Sequence, residues 1–452
     1  MTDQTAVPGS SPLPLLALLK RQSAFQSVFV QPWSYITGGV LLAVVASALL
    51  QSTGSVWGVT TALTYWGAWA WGLVGGDPHS WAYFHEVSHG LAFNKPGLNI
   101  LNHAGSVVDL GLIFGALASA LLASQFKIKA IKSGRQATAA ILGGLLMGFG
   151  ARLSFGCNIG ALFSGLPSMS LHGWVFMLFI FIGAIIGSKL LVTLFIGAPK
   201  LSTSAPAATV AAAATVASPA PAGGGIKRIQ RTRAAKKENV IQFPLGVALV
   251  IGLAIVGVIY GNVMHSPVLA ATWGIGIAFG FILQRSRFCF TAAMRDPVLT
   301  GGTNLTKAVV VALAVSTALI AAAQIGAYVK GGSMDAAMKV GGFGPVGIWT
   351  AVGATLFGMG AVISGGCASG TLMRVGEGFL QQWLVLPFFC IGGAIGAATW
   401  PIWGPGLAVD QSQVIYLPNV LGGFFPALIA QFVALAAVWL LADWWAKRPA
   451  RT

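Results

Sequence analysis

The chain has 452 residues, of which 56% are hydrophobic and 8% charged, and its formal net charge is +16. This composition excludes a soluble globular enzyme and indicates an all-α, polytopic membrane protein. The positive balance does not imply a nucleic-acid partner: it concentrates in basic loops and the C-terminal tail, where the positive-inside rule puts it. Sixty glycines suit close helix packing in lipid.

Residues 1–35 form a polar N-terminal segment without the apolar core of a signal peptide. A first membrane repeat follows over 36–198, with apolar runs at about 36–51, 56–75, 106–124, 138–156 and 172–197. Residues 199–242 are rich in Ala and Pro and then basic (Lys227, Arg228, Arg231, Arg233), which predicts a cytoplasmic linker. A second repeat occupies 243–446, with runs at about 245–264, 268–284, 305–328, 347–364 and 381–400 and an extra C-terminal span at 419–446. Residues 447–452 are a basic tail. Eleven spans are expected.

The halves are related in sequence. Gly39, Gly54 and Trp66-Gly67 recur as Gly246, Gly261 and Trp273-Gly274, always 207 positions later. Gly183 and Gly187 recur as Gly392 and Gly396, 209 later. A nearly constant offset over this length indicates an internal duplication. About five spans per half is an odd number, so the repeats are expected to be inverted, with broken or re-entrant helices near the midplane. Lys127, Lys129, Lys132, Arg135, Arg285, Arg287, Arg295, Lys307 and Lys447 all fall inside if the N-terminus is outside; Lys20, Arg21, Lys330 and Lys339 oppose that arrangement.

The sharpest duplicated element carries a cysteine. Residues 148–160 read Gly-Phe-Gly-Ala-Arg-Leu-Ser-Phe-Gly-Cys-Asn-Ile-Gly, and 358–370 read Gly-Met-Gly-Ala-Val-Ile-Ser-Gly-Gly-Cys-Ala-Ser-Gly. Irregular backbone at membrane depth must line a cavity or be buried in protein. A short helix beginning at such a cysteine aims free N–H groups at the path, which suits an anion. A thiol is a weak donor and a soft acceptor, better matched to sulphur than to a hard oxyanion. Cys157 and Cys367, with Ser154, Gly156, Asn158, Ser364 and Gly366 beside them, are therefore the candidate substrate-binding residues. Tight helix packing around a buried Cys is the plainer alternative.

Cys289 lies in Gln-Arg-Ser-Arg-Phe-Cys-Phe, among Arg285, Arg287 and Arg295. Positive neighbours draw anions, which adds Cys289 and Arg287 to the candidates. The position 207 earlier is Ala82, so this cysteine is not duplicated. Cys390 sits in an unbroken apolar run and reads as packing. Arg152 and Arg374, close to the two repeat loops, can counter substrate charge. The four cysteines lack CxxC spacing, and no metal or cofactor is expected. His85-Glu86-Val87-Ser88-His89 is a literal HExxH, the pattern of a zinc hydrolase. It stands in a polar connection without a recognisable third ligand, so a lid or loop over the path is the preferred reading.

At these motifs the chain resembles the YeeE/YedE family of bacterial membrane proteins, a sulphur-transport family that includes thiosulfate importers. The resemblance rests on Gly-x-Gly-x-x-x-Ser-x-Gly-Cys-x-x-Gly in both halves and on Arg-x-Arg-Phe-Cys-Phe at 285–290. It implies a pseudo-symmetric helical protein of the inner membrane that takes up thiosulfate. It also implies that Cys157, Cys367 and Cys289 pass the anion along by S–H···S hydrogen bonds, with no catalytic residue and no covalent change. A cytoplasmic sulphur-acceptor protein would draw the flux inward. Alternatives are a carrier of a selenium compound or other reduced-sulphur species, a membrane thiol redox protein cycling Cys157 and Cys367 through a disulfide, and an intramembrane zinc peptidase using HExxH.

Overall fold

The structure, a computed structural model, describes residues 23–87, 97–196, 241–407, 409–410 and 412–448. Linker residues 199–240, most of the N-terminal segment and the end of the basic tail lie outside these. The described residues are helical, with two isolated backbone bridges (Lys129–Phe379 and Ser170–Tyr416) and no strand among them.

The first half comprises α1 (Tyr35–Thr53), α2 (Thr60–Leu73), the short α3 (Ala82–Glu86), α4 (Ala104–Leu122), α5 (Gly134–Leu153), the π-helical α6 (Asn158–Gly165) and α7 (Leu171–Leu190). The second half comprises α8 (Gln242–Val258), α9 (Pro267–Ser286), α10 (Phe290–Leu299), α11 (Asn304–Gly331), α12 (Ile348–Ser364), α13 (Ala368–Gly376), α14 (Leu380–Ala398) and α15 (Phe424–Ala446). Ser and Gly mark several ends. The Ser34 and Ser133 hydroxyls accept from the amides of Thr37 and Gln136, and α1 and α11 stop at left-handed Gly54 and Gly332.

Among the described residues, nine helices are long and apolar enough to cross a membrane. The pair α5 and α6, bent by 44° at its break, raises this to ten. The protein is a multi-pass membrane protein. The expected eleven spans are one too many. The run at 56–75 folds as α2, whose 14 residues reach about 21 Å at 1.5 Å each, against roughly 30 Å of hydrocarbon.

The helices meet backbone to backbone. Lipid tails are as apolar as leucine, so helices gain from contact mainly by approaching closely, and small residues permit it. A Cβ built on Gly143 would stand 2.8 Å from the carbonyl oxygen of Gly360, and one on Gly360 would stand 2.6 Å from that of Gly143. Gly150 and Gly353 meet the same way, each 2.7 Å from the other's oxygen. Gly148 lies on the Phe389 carbonyl and Gly358 on that of Ile180; Gly183 lies on the Thr355 carbonyl and Gly392 on that of Leu145. Each contact has a partner contact displaced by 209–210 residues in both members. The α5, α12, α7 and α14 quartet is thus locked by reciprocal seams, with α5 against α12 and α14, and α12 also against α7.

These seams predict a steep position dependence. Gly148→Ala drives a methyl into a backbone carbonyl and is expected to destabilise by about 1–3 kcal/mol, as overpacking does. Gly252→Ala in α8, with open space around it, is expected to leave the thermal unfolding midpoint in detergent unchanged or raised.

Candidate functional site

Three membrane helices break in the same manner, and each break ends in a cysteine. Helix α5 gives way at Ser154-Phe155-Gly156-Cys157, α9 at Ser286-Arg287-Phe288-Cys289, and α12 at Ser364-Gly365-Gly366-Cys367. In each, the residue two before the cysteine is left-handed: Phe155 at φ 54°, Arg287 at φ 55° and Gly365 at φ 82°. Two of these are not glycine, and such strain gathers at functional sites. The serine three before each cysteine ties the turn. Ser154 and Ser286 donate to the carbonyls of Gly150 and Ile282 at 2.7 Å, and Ser364 donates to that of Ala361 at 3.3 Å. Ser154 and Ser364 also contact the carbonyl oxygens of Gly156 (3.2 Å) and Gly366 (3.1 Å).

Each cysteine then caps a short helix: Cys157 caps α6, Cys289 α10 and Cys367 α13. The Cys157 sulphur accepts the amides of Ile159 (3.3 Å) and Gly160 (3.5 Å). Gly156 has no room for a side chain, because a Cβ there would stand 2.6 Å from the Ala161 methyl. At Gly366 a Cβ would meet Gln382 Oε1 at 3.4 Å.

The carbonyls freed by the breaks are recaptured, as backbone in an apolar medium requires. The Ser154 carbonyl is held by His172 Nε2 at 2.7 Å. The Ser364 carbonyl is held by Gln382 at 2.9 Å and Gln381 at 3.1 Å. His172 and Gln382 stand 210 positions apart, so both halves fill one role with different chemistry. Arg374 donates to the Gly365 carbonyl, which assigns this arginine to the second break itself.

The three thiols are buried and free, with exposures of 1% (Cys157), 7% (Cys289) and 1% (Cys367). The Cys289 and Cys367 thiols lie beside each other. Gly370 lies against the pair, its Cβ position 3.4 Å from the Cys367 sulphur and 3.7 Å from that of Cys289. The redox alternative joins Cys157 with Cys367; the thiol beside Cys367 is that of Cys289. Cys157 lies beside Thr60. Arg152, 4% exposed, donates to Thr60 Oγ1 at 2.9 Å and to the Tyr83 hydroxyl at 3.3 Å. Thr60, Tyr83, Arg152, Gly156 and Gly160 help line a cavity of about 330 Å³. On the Cys289 and Cys367 side the surroundings are basic. Arg287 is paired with Glu377, which also accepts from Gln284 at 3.2 Å; Lys129 sits 3.9 Å over the Phe379 ring. Asn158, the remaining candidate, is buried beside Cys157.

Outside this constellation, Cys390 lies in unbroken α14 beside Trp66 and Gly67. His85 Nε2 bonds the His79 carbonyl oxygen at 2.7 Å, and Glu86 accepts from Trp400 Nε1 at 2.6 Å. His89 lies outside the described residues, among which no cluster of metal-ligating side chains occurs. The sequence reading missed Ser286: Ser-x-x-Cys occurs at all three breaks, and this spacing was its signal. It also missed Thr60, Tyr83 and His172, which stand in no motif.

A family described as sulphur transport matches residues 10–186 and 285–452. The chain is 30% identical over 418 residues to "Probable transporter YedE" of Escherichia coli, covering 92% of this chain and 93% of the relative. It is 31% identical over 427 residues to the protein of the same name from Salmonella typhimurium, covering 93% and 95%. Over 182 residues it is 32% identical to "Thiosulfate transporter TsuA" of Spirochaeta thermophila, covering 36% of this chain and 52% of that one. The chain belongs to the sulphur-transport family.

Oxidation of the solubilised protein with copper–phenanthroline is expected to join Cys289 to Cys367 and leave Cys157 alkylatable, read by mass mapping of blocked thiols. A main product bridging Cys157 and Cys367 would contradict the observed pairing.

Proposed function

We propose that this member of the sulphur-transport family imports a small sulphur-containing anion, thiosulfate foremost, across the bacterial inner membrane. Its route runs from the Arg152 cavity past Cys157 to the Cys289–Cys367 pair. The observation that carries this reading is the recurrence of one strained Ser-x-x-Cys break in three helices, each presenting a buried free thiol at a helix start.

The chemistry follows from the surroundings. Arg152 and the Thr60 and Tyr83 hydroxyls offer a charged donor set to an arriving anion. The amides that converge on Cys157 add partial positive charge. Each thiol then offers S–H to the terminal sulphur of thiosulfate, and no bond to sulphur is made or broken. Weak, exchangeable contacts suit conduction, because the ion must also leave. The reciprocal glycine seams support reading the halves as inverted repeats, with the Arg152 cavity outside and the basic Arg287, Lys129 and Arg374 side facing the cytoplasm. A cytoplasmic sulphur-acceptor protein on that side would keep the gradient inward.

The Cys289–Cys367 contact also favours a second reading, a thiol redox protein cycling that pair. The two readings separate on the fate of label: a carrier accumulates intact thiosulfate, whereas a redox protein changes the thiol state of the pair with no accumulation. A related selenium or reduced-sulphur anion would use the same thiols, and competition against labelled thiosulfate ranks such substrates.

In cells lacking other importers and at equal expression, Cys157→Ala, Cys289→Ala and Cys367→Ala are each expected to lower labelled thiosulfate uptake at least tenfold, with Cys390→Ala transporting normally. Normal uptake by all three path variants would sink the relay, and equal uptake of sulfate would sink the argument from soft thiols. Arg152→Leu is expected to raise the KM for uptake about tenfold or more, with Arg152→Lys intermediate. An unchanged KM removes Arg152 from the entry site.

A further inference from the structure

Two of the three breaks carry a second buried polar group that has no partner in the protein. Asn158 follows Cys157 by one residue, and Thr291 follows Cys289 by two. Both are buried, 1% and 3% exposed. The oxygen and nitrogen of the Asn158 amide, and the Thr291 hydroxyl, have no hydrogen-bond partner in the protein. Buried polar groups are paired in the great majority of cases, so each exception asks for an explanation.

These two exceptions share one place. Asn158 and Thr291 line the same crevice, which is otherwise walled by Ile180, Ala184 and Met294 and by Gly358, Ala361 and Val362 of α12. Those walls are apolar. The crevice is too tight for a water molecule, so water does not satisfy the two side chains there. It sits where α10 packs against α7 and α12 and where α6 packs against α7. At the position 210 after Asn158 the chain has Ala368, so the second repeat does not duplicate this amide.

We propose that Asn158 and Thr291 form a dehydrated, oxygen-recognising station for the permeating anion between Cys157 and the Cys289–Cys367 pair. The inference rests on the transport reading and deepens it. The thiols address a terminal sulphur; an amide NH₂ and a hydroxyl address oxygen. Together they match an anion that carries sulphur at one end and oxygens at the other. The crevice between the two groups is too tight for water in this structure and widens only as the anion enters. The protein thereby holds donors whose partner is the substrate, and an anion lacking oxygens leaves them unpaired.

The test sets function against stability. Thr291→Val keeps the shape and removes the hydroxyl. An unpartnered hydroxyl contributes nothing to the fold, so the thermal midpoint is expected to hold or rise while thiosulfate uptake falls about tenfold. Thr291→Ser, which keeps the donor, is expected to recover most of the uptake. Asn158→Asp, similar in size but negative and without donors, is expected to lower uptake at least as far as Thr291→Val. Uptake within twofold of wild type in both Thr291→Val and Asn158→Asp would overturn the station. So would a sharp drop in the Thr291→Val midpoint, because it would show that the hydroxyl is structurally bonded. Cys157→Ala in the same assay separates the causes. If it alone loses uptake, the station fails and the relay stands; if wild type moves no thiosulfate, both fail.

Discussion

Hydrocarbon offers no hydrogen bonds, so every helix that breaks inside it must find new partners for the peptide groups it releases. Three helices break in this way among the described residues, and the surrounding structure is arranged to meet that demand. Serines tie the turns from within. His172, Gln381, Gln382 and Arg374 close on freed carbonyls from other elements. Gln136, itself near the start of α5, steadies Gln381 at 2.7 Å, so the support for one break begins on the helix that carries another. The breaks are costly, and their reward is three thiols delivered to the interior at the starts of short helices.

The same demand explains the distribution of polar residues. Buried polar side chains elsewhere serve packing: Ser119 bonds Gln284 at 2.7 Å, and Gln431 bonds the Leu166 carbonyl at 2.8 Å. Around the breaks they instead form two unlike mouths. One holds a single arginine with two hydroxyls; the other holds arginines and a lysine moderated by Glu377. Between them lie the cysteines and the dry crevice. On the route proposed above, an anion exchanges a charged setting for a softer, less polar one and then regains charge.

Much of the fold is legible in the sequence, because apolar runs of about twenty residues translate directly into helices. The failure at 56–75 has a simple cause: hydropathy does not register where Gly58 and Gly75 cut the run, and the helix between them is too short. The Cys157 and Cys367 breaks are legible because glycine and cysteine repeat at a fixed offset. The kinship of the Cys289 break is hidden from a comparison of the two halves, because the shared feature is a four-residue turn that recurs without regard to the repeat. Pairing was out of reach altogether. Arg152 finds Thr60 and Tyr83 at separations of 92 and 69 residues, and Cys289 meets Cys367 across the second half. Such contacts are set by how helices cross, which no local pattern encodes.

The glycine seams have a mechanical consequence. Where two helices touch through backbone alone, no long side chain is available to re-pack and absorb a slide, so α5, α7, α12 and α14 behave as one stiff collar. The segments that remain free to yield are those the collar surrounds: helix starts a few residues long and the side chains upon them. On the route proposed above, such a collar lets the anion pass by rotations about single bonds rather than by the swinging of whole halves. A path of that kind resembles a rigid lock with three small tumblers more than a rocking cradle.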